Sequence, residues 1–159
     1  MQRPVLTWLS CLILSMFVSA QTSKQPSFSS YPATIEQVRV KSINFRSGRE
    51  TRRFRTNLTE SLLEGVNFAG HYNISQWGCG TACLDGAIID TRTGKVYWPK
   101  ELRGIYAASD EPIVYKADSR LLIFNGYPAS EKEKSKGRYY YEWTGTKLRF
   151  IKFSPSIAS

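Results

Sequence analysis

Tyr72-Asn73-Ile74-Ser75-Gln76-Trp77-Gly78-Cys79-Gly80-Thr81-Ala82-Cys83-Leu84-Asp85-Gly86-Ala87-Ile88-Ile89-Asp90 is the stretch that decides the fold. Up to Trp77 it alternates, with Tyr72, Ile74 and Gln76 set against Asn73, Ser75 and Trp77. From Leu84 to Ile89 it is an apolar run. Both patterns predict strands. Cys79 and Cys83 lie between them with three residues intervening. In an extended chain their Cα atoms would stand roughly 13 Å apart, whereas a disulfide needs them within about 7 Å. A bond between them therefore requires the chain to fold back, and Gly78 and Gly80 supply the backbone freedom for it. The expected result is a tight stapled loop joining two strands. So small a ring shapes the loop more than it stabilises the domain.

Just upstream stands Asn67-Phe68-Ala69-Gly70-His71-Tyr72, which contains the single histidine of the chain. Taken with Trp77-Gly78-Cys79-Gly80-Thr81-Ala82-Cys83 and the run on to Tyr97, this segment resembles a group of small secreted bacterial proteins of uncharacterised function. The resemblance implies a bacterial, exported protein and no particular activity.

The N-terminus agrees with export. Arg3 precedes a mostly apolar run from Val5 to Val18, and Val18-Ser19-Ala20 offers small residues to a signal peptidase. Residues 1–20 are expected to be a signal peptide cleaved near Ala20, which leaves a secreted or periplasmic chain. The apolar run is shorter than the ~20 residues of a membrane-spanning helix, and no later stretch is long enough. Cleavage removes Cys11, so Cys79 and Cys83 remain as an even pair in an oxidising compartment.

Residues 21–34 are rich in Ser, Gln and Pro and have little to bury, so a flexible leader is expected. A single domain follows over residues 35–155. Val38, Val40, Ile43 and Phe45 suggest a first strand. Phe54, Leu58 and Leu62 recur every four residues and predict one helix within 49–64, with Gly65 as its stop. Thr91-Arg92-Thr93-Gly94 turns the chain from Ile89 into Lys95-Val96-Tyr97-Trp98, and Asp90 is placed to accept N–H groups across that turn. Further hairpins are read at Ile113–Lys116 with Leu121–Phe124, and at Arg138–Trp143 with Lys147–Phe153. Residues 104–112 and 130–137 read as loops. The fold class is α+β, mainly an antiparallel β meander of hairpins with one covering helix.

The whole chain carries a net charge of +9. Loss of Arg3 with the signal leaves +8, a balance that favours an acidic partner such as an envelope polymer or protein. No basic helix or aromatic ladder of a nucleic-acid module is evident. Aromatic residues number 21 of 159, and Tyr139-Tyr140-Tyr141 must present rings to both faces of its strand. At least one of them points away from the main core, where a partly exposed ring suits a glycan or protein partner.

The chemistry is sparse. One histidine limits general-base options. A zinc set would need His71, Cys79, Cys83 and Asp85 without a standard spacing, and redox pairs use two intervening residues, not three. No cofactor is implied, and the oligomeric state is left open. The sequence therefore reads as a non-catalytic, disulfide-stapled binding or inhibitor-like module with a surface around His71, Trp77, Gly80 and Thr81. The alternative is a small envelope hydrolase. It would use His71 as base, the Gly78–Thr81 loop as oxyanion stabiliser and Thr81 or an unassigned serine as attacking hydroxyl.

Overall fold

The structure is a computed structural model that describes residues 24–37, 42–107, 109–131 and 135–156. The signal-peptide reading of residues 1–20 lies outside them. At the centre is the stapled hairpin. Strand β1 (Tyr72–Gly80) turns through Thr81 and Ala82 into β2 (Cys83–Asp90). Tyr72 pairs with Asp90, Ile74 with Ile88, and Gly80 with Cys83, while Cys79 is the extra residue of a bulge between Gly78 and Gly80. Cys79 and Cys83 are bonded, with Cα atoms 5.2 Å apart. Ala82 takes a φ of 52°, a left-handed conformation that costs an alanine roughly 1 kcal/mol. The covalent ring and the ladder behind it hold it there.

Alternation along β2 separates two cores. Ile88 faces inward with Ile74, Leu122, Phe124, Tyr139, Tyr141 and Trp143. Ala87 and Ile89 face outward and are covered by Leu58 and Leu62, with Ile43 and Val96 beside them. Leu58 and Leu62 belong to the expected helix, which is in fact two: α1 (Arg49–Arg53) and α2 (Arg55–Glu64). The break falls at Phe54 (φ −103°, ψ 29°). There the ring stacks on Trp77 at 4.6 Å and meets Trp98 at 5.7 Å, so aromatic packing overrides the helical register. Gly65 ends α2, as expected.

The strand expected from Val38 to Phe45 does not form over its described part. Residues 38–41 lie outside the described residues, and residues 42–47 are a turn fixed by Asn44, whose N–H donates to Gly94 O and whose Oδ1 accepts from Arg46 N–H. Ile43 is buried all the same.

Strand β3 (Val96–Tyr97) pairs with β2 across the predicted turn. Asp90 Oδ1 accepts from Arg92 N–H at 2.8 Å and Oδ2 from Thr93 Oγ1 at 2.9 Å. A 3-10 turn at Lys100–Leu102 leads into β4 (Ile105–Ala107), within a stretch expected to be loop. Strand β4 joins two halves of the sheet, pairing Cys83 with Tyr106 on one side and Tyr106 with Tyr127 on the other. Then follow β5 (Ile113–Tyr115), β6 (Leu121–Tyr127), β7 (Gly137–Trp143) and β8 (Leu148–Pro155). The order is β1-β2-β4-β6-β7-β8, with β3 on β2 and β5 on β6. The result is one domain, an antiparallel eight-stranded sheet with two short α-helices. It departs from a plain meander because β2 pairs with both β3 and β4, and β6 with both β4 and β5. Among the described residues no helix is long and apolar enough to cross a membrane.

The stretch read as a flexible leader makes specific contacts from Gln25 on. Ala33 N–H donates to Asp118 O, Arg120 N–H donates to Tyr31 O, and Ser119 Oγ lies 2.9 Å from both Phe28 O and Tyr31 O. Each of these bonds has a backbone partner, which composition does not reveal. Tyr140, the tyrosine that turns away from the main core, donates to Gln25 Oε1 and is 2 % exposed. It is therefore covered and does not present its ring to a partner.

Candidate functional site

The turn before β1 positions His71. Ala69 (φ 45°) and Gly70 (φ 86°) bend the chain so that Phe68 and Tyr72 exchange backbone hydrogen bonds. Gly70 is clasped on both sides: its N–H donates to Ala117 O, and its O accepts from Glu36 N–H. The His71 ring lies 4.1 Å from that of Tyr72, with Nδ1 3.7 Å from Glu36 Oε1. Arg92 forks onto the same Glu36 carboxylate. Desolvation first, and then the Arg92 charge, push the His71 pKa down, against the opposing pull of Asp90 and Glu36. Among the described residues no hydroxyl hydrogen-bonds to the imidazole.

The stapled loop is at the other end of the same strand. Tyr72 to Gly80 spans eight steps of β1, or roughly 26 Å. His71 and the Gly78–Thr81 loop therefore cannot act on one bond, because general base and oxyanion donors must both lie within about 3 Å of the reacting group. The two groups expected of a hydrolase are thus set at opposite ends of β1. The recognition surface expected around His71, Trp77, Gly80 and Thr81 is likewise dispersed. Gly80 and Thr81 are exposed at the hairpin tip. Trp77 is stacked on Phe54, with its Nε1 buried and without a hydrogen-bond partner among the described residues. The zinc set is dispersed as well. Cys79 and Cys83 are bonded to one another, and Asp85 accepts from Gly104 N–H at 2.7 Å and faces Arg103 at 3.6 Å.

What the fold does assemble is a cationic face on the helices. Arg46, Arg49, Arg52, Arg53 and Arg55 fall within ten positions and all are exposed. The acidic residue among them, Glu50, is ion-paired with Arg103. None of the five forms an ion pair among the described residues. Instead Arg53 lies over the Phe54 ring at 5.4 Å and Arg55 over Phe45 at 4.9 Å. Because α2 turns Leu58 and Leu62 to Ala87 and Ile89 while α1 buries only Thr51, the guanidinium groups are left to solvent. The sequence reading found no basic helix, and α1 is one. The arginine density of residues 46–55 was the available signal. Apolar spacing alone does not show it.

No family model, no curated protein and no solved structure matches the chain.

Proposed function

We propose that the chain is an exported, non-catalytic binding module that captures a polyanionic polymer of the cell envelope on the arginine face of α1 and the start of α2. The observation that carries this reading is the set of five exposed arginines, 46 to 55, none ion-paired among the described residues. A guanidinium offers a planar fork that grips phosphate, sulfate or carboxylate through two hydrogen bonds, and it resists deprotonation. Helix α1 has five residues, so it is about 7.5 Å long. That is no more than the Debye length of roughly 8 Å at physiological salt. Its charges therefore act on a polymer as one unit. The signal-peptide reading and the Cys79–Cys83 bond both support an oxidising, extracytoplasmic setting.

The test is binding of the mature chain to polyphosphate, dextran sulfate and neutral dextran. The wild type is compared with an Arg49→Gln/Arg52→Gln/Arg53→Gln variant and with an equal-charge control, Lys24→Gln/Lys116→Gln/Lys136→Gln. The arginine variant should lose affinity for both polyanions by at least about tenfold, with a shallower salt dependence, and neutral dextran should not bind. Equal losses in the two triple variants, or no retention of the wild type on either polyanion at low salt, would reject the reading.

A further inference from the structure

A cavity of about 480 Å³ opens between the end of β3 and the turn that joins β7 to β8. Tyr97, Trp98, Glu101, Lys100, Thr146 and Lys147 line it. Its volume falls in the range of roughly 300–1,000 Å³ usual for small-molecule sites. Glu101 is 91 % buried. Among the described residues its carboxylate receives no hydrogen bond and joins no ion pair, and neither do the ammonium groups of Lys100 and Lys147. The cleft thus carries both signs of charge on side chains that do not neutralise each other. Its unpaired carboxylate keeps contact with solvent, so the cleft leaves a negative group open to a cation. The two exposed lysines on the wall provide for an anionic group.

We propose that this cleft binds a small zwitterion, an α-amino acid or a short peptide with free termini. Its ammonium meets Glu101, its carboxylate meets Lys100 and Lys147, and its side chain lies along Tyr97, Trp98 and Leu148. The rings of Tyr97 and Trp98 are edge-on or tilted neighbours of other aromatics, and cations sit over both, Lys95 at 4.7 Å and Arg103 at 5.7 Å. They therefore serve as wall and not as an open stacking platform, which favours a zwitterion over a sugar ring. The site is independent of the arginine face and takes a ligand without polymeric charge.

Thermal-shift and calorimetric titration of the mature chain would use the free amino acids and alanyl-alanine, in L and D forms. The N-acetylated and amidated analogues and N-acetylglucosamine serve as controls. At least one zwitterion should bind saturably at millimolar concentration or below, with its acetylated and amidated analogues at least about tenfold weaker. Glu101→Gln should abolish that binding while leaving the melting temperature of the free protein nearly unchanged, since the carboxylate it replaces has no protein partner among the described residues and touches solvent. A purely structural carboxylate would lower it. Lys147→Gln, at an exposed position, should weaken binding without changing stability. No zwitterion binding, equal binding of the blocked analogues, or undiminished binding by Glu101→Gln would overturn the proposal. Saturation by N-acetylglucosamine alone would do the same.

Discussion

Replacing Asn73 by alanine should be among the most damaging single changes outside the aromatic core. Asn73 is 0 % exposed, yet it is polar and on β1. Its Oδ1 accepts from Ser61 Oγ at 2.5 Å, and its Nδ2 donates to Ser61 O at 2.9 Å and to Gly65 O at 2.6 Å. One side chain thus binds the last turn of α2 and its stop to the sheet. It also satisfies carbonyls that a helix C-terminus otherwise leaves open. Each bond contributes about 0.5–1.5 kcal/mol net, and the orphaned partners add their desolvation, so Asn73→Ala should cost about 3 kcal/mol. In a domain of this size that is a fall in melting temperature of roughly 10 °C. Ser61→Ala removes one of the three bonds and should cost about 1 kcal/mol. Because the two variants share that bond, the double variant should fall short of additivity by about 1 kcal/mol. Asn73→Asp adds a pH readout. Its carboxylate would face two carbonyl oxygens, which raises its folded pKa above the unfolded value of about 3.9. The folded state then binds more protons. The deficit of this variant is small below that value and grows as pH rises through the folded pKa. Urea unfolding followed by tryptophan fluorescence measures the four variants against the wild type. Strictly additive single variants, or an Asn73→Ala loss under about 1 kcal/mol, would refute the role assigned to this clamp.

Three other perturbations follow from the same structure. Cys79→Ser/Cys83→Ser opens a ring of only five residues, so chemical denaturation should show a loss of about 2 kcal/mol while amide exchange leaves the β1–β2 pairing beyond the turn intact. Gly70→Ala puts a Cβ 2.5 Å from Thr34 O at a φ of 86° and should lose more than about 2 kcal/mol, whereas Gly78→Ala meets nothing within 4 Å and should stay within about 0.5 kcal/mol. The folded pKa of His71 is lowered, so below the unfolded value of about 6.5 the unfolded chain binds the extra proton and stability falls as pH falls. His71→Gln should flatten that slope below about pH 6.5, as measured by urea midpoints across pH.

The hairpins were legible because their information is local. Alternation in Tyr72–Trp77, an apolar run ending at Asp90, and Gly94 or Gly145 at a turn each act within a few residues. Strand β4 was not legible. Its three residues are too few for a period, and it exists only because β2 and β6 both present unpaired edges to it. Phe54 misled in the opposite way. It continues the apolar spacing of α2, but its partners, Trp77 and Trp98, lie 23 and 44 positions further on. The candidate sites divide along the same line. The arginines of residues 46–55 stand side by side in the chain, whereas Glu101 and Lys147 share a cleft only after the sheet has curled. Closeness in sequence also deceived: His71 and Thr81 are ten positions apart and sit at opposite ends of one strand.

That curl explains why a cavity exists where it does. The sheet order ends on β1 and β8, and no ladder joins them. Side chains bridge the space instead, with Tyr72 of β1 and Tyr97 of β3 packing edge-on against Trp143 of β7 at 5.4 and 5.3 Å. A hydrogen-bonded closure sets strands about 4.8 Å apart and leaves no room between them. A closure made by rings holds the backbones further apart, and the gap must open wherever the rings stop. The last rings along this seam belong to Tyr97 and Trp98, and beyond them come the Lys100–Leu102 turn and the Thr146–Leu148 end of the last hairpin. Glu101 sits in that gap with no strand partner to neutralise it. Shortening the ring at the seam, as in Trp143→Leu, should therefore narrow the cleft and weaken ligand binding there as well as destabilising the core by about 3 kcal/mol. Unchanged binding in a folded Trp143→Leu variant would mean that the cleft is held open by its own loops and not by the aromatic seam.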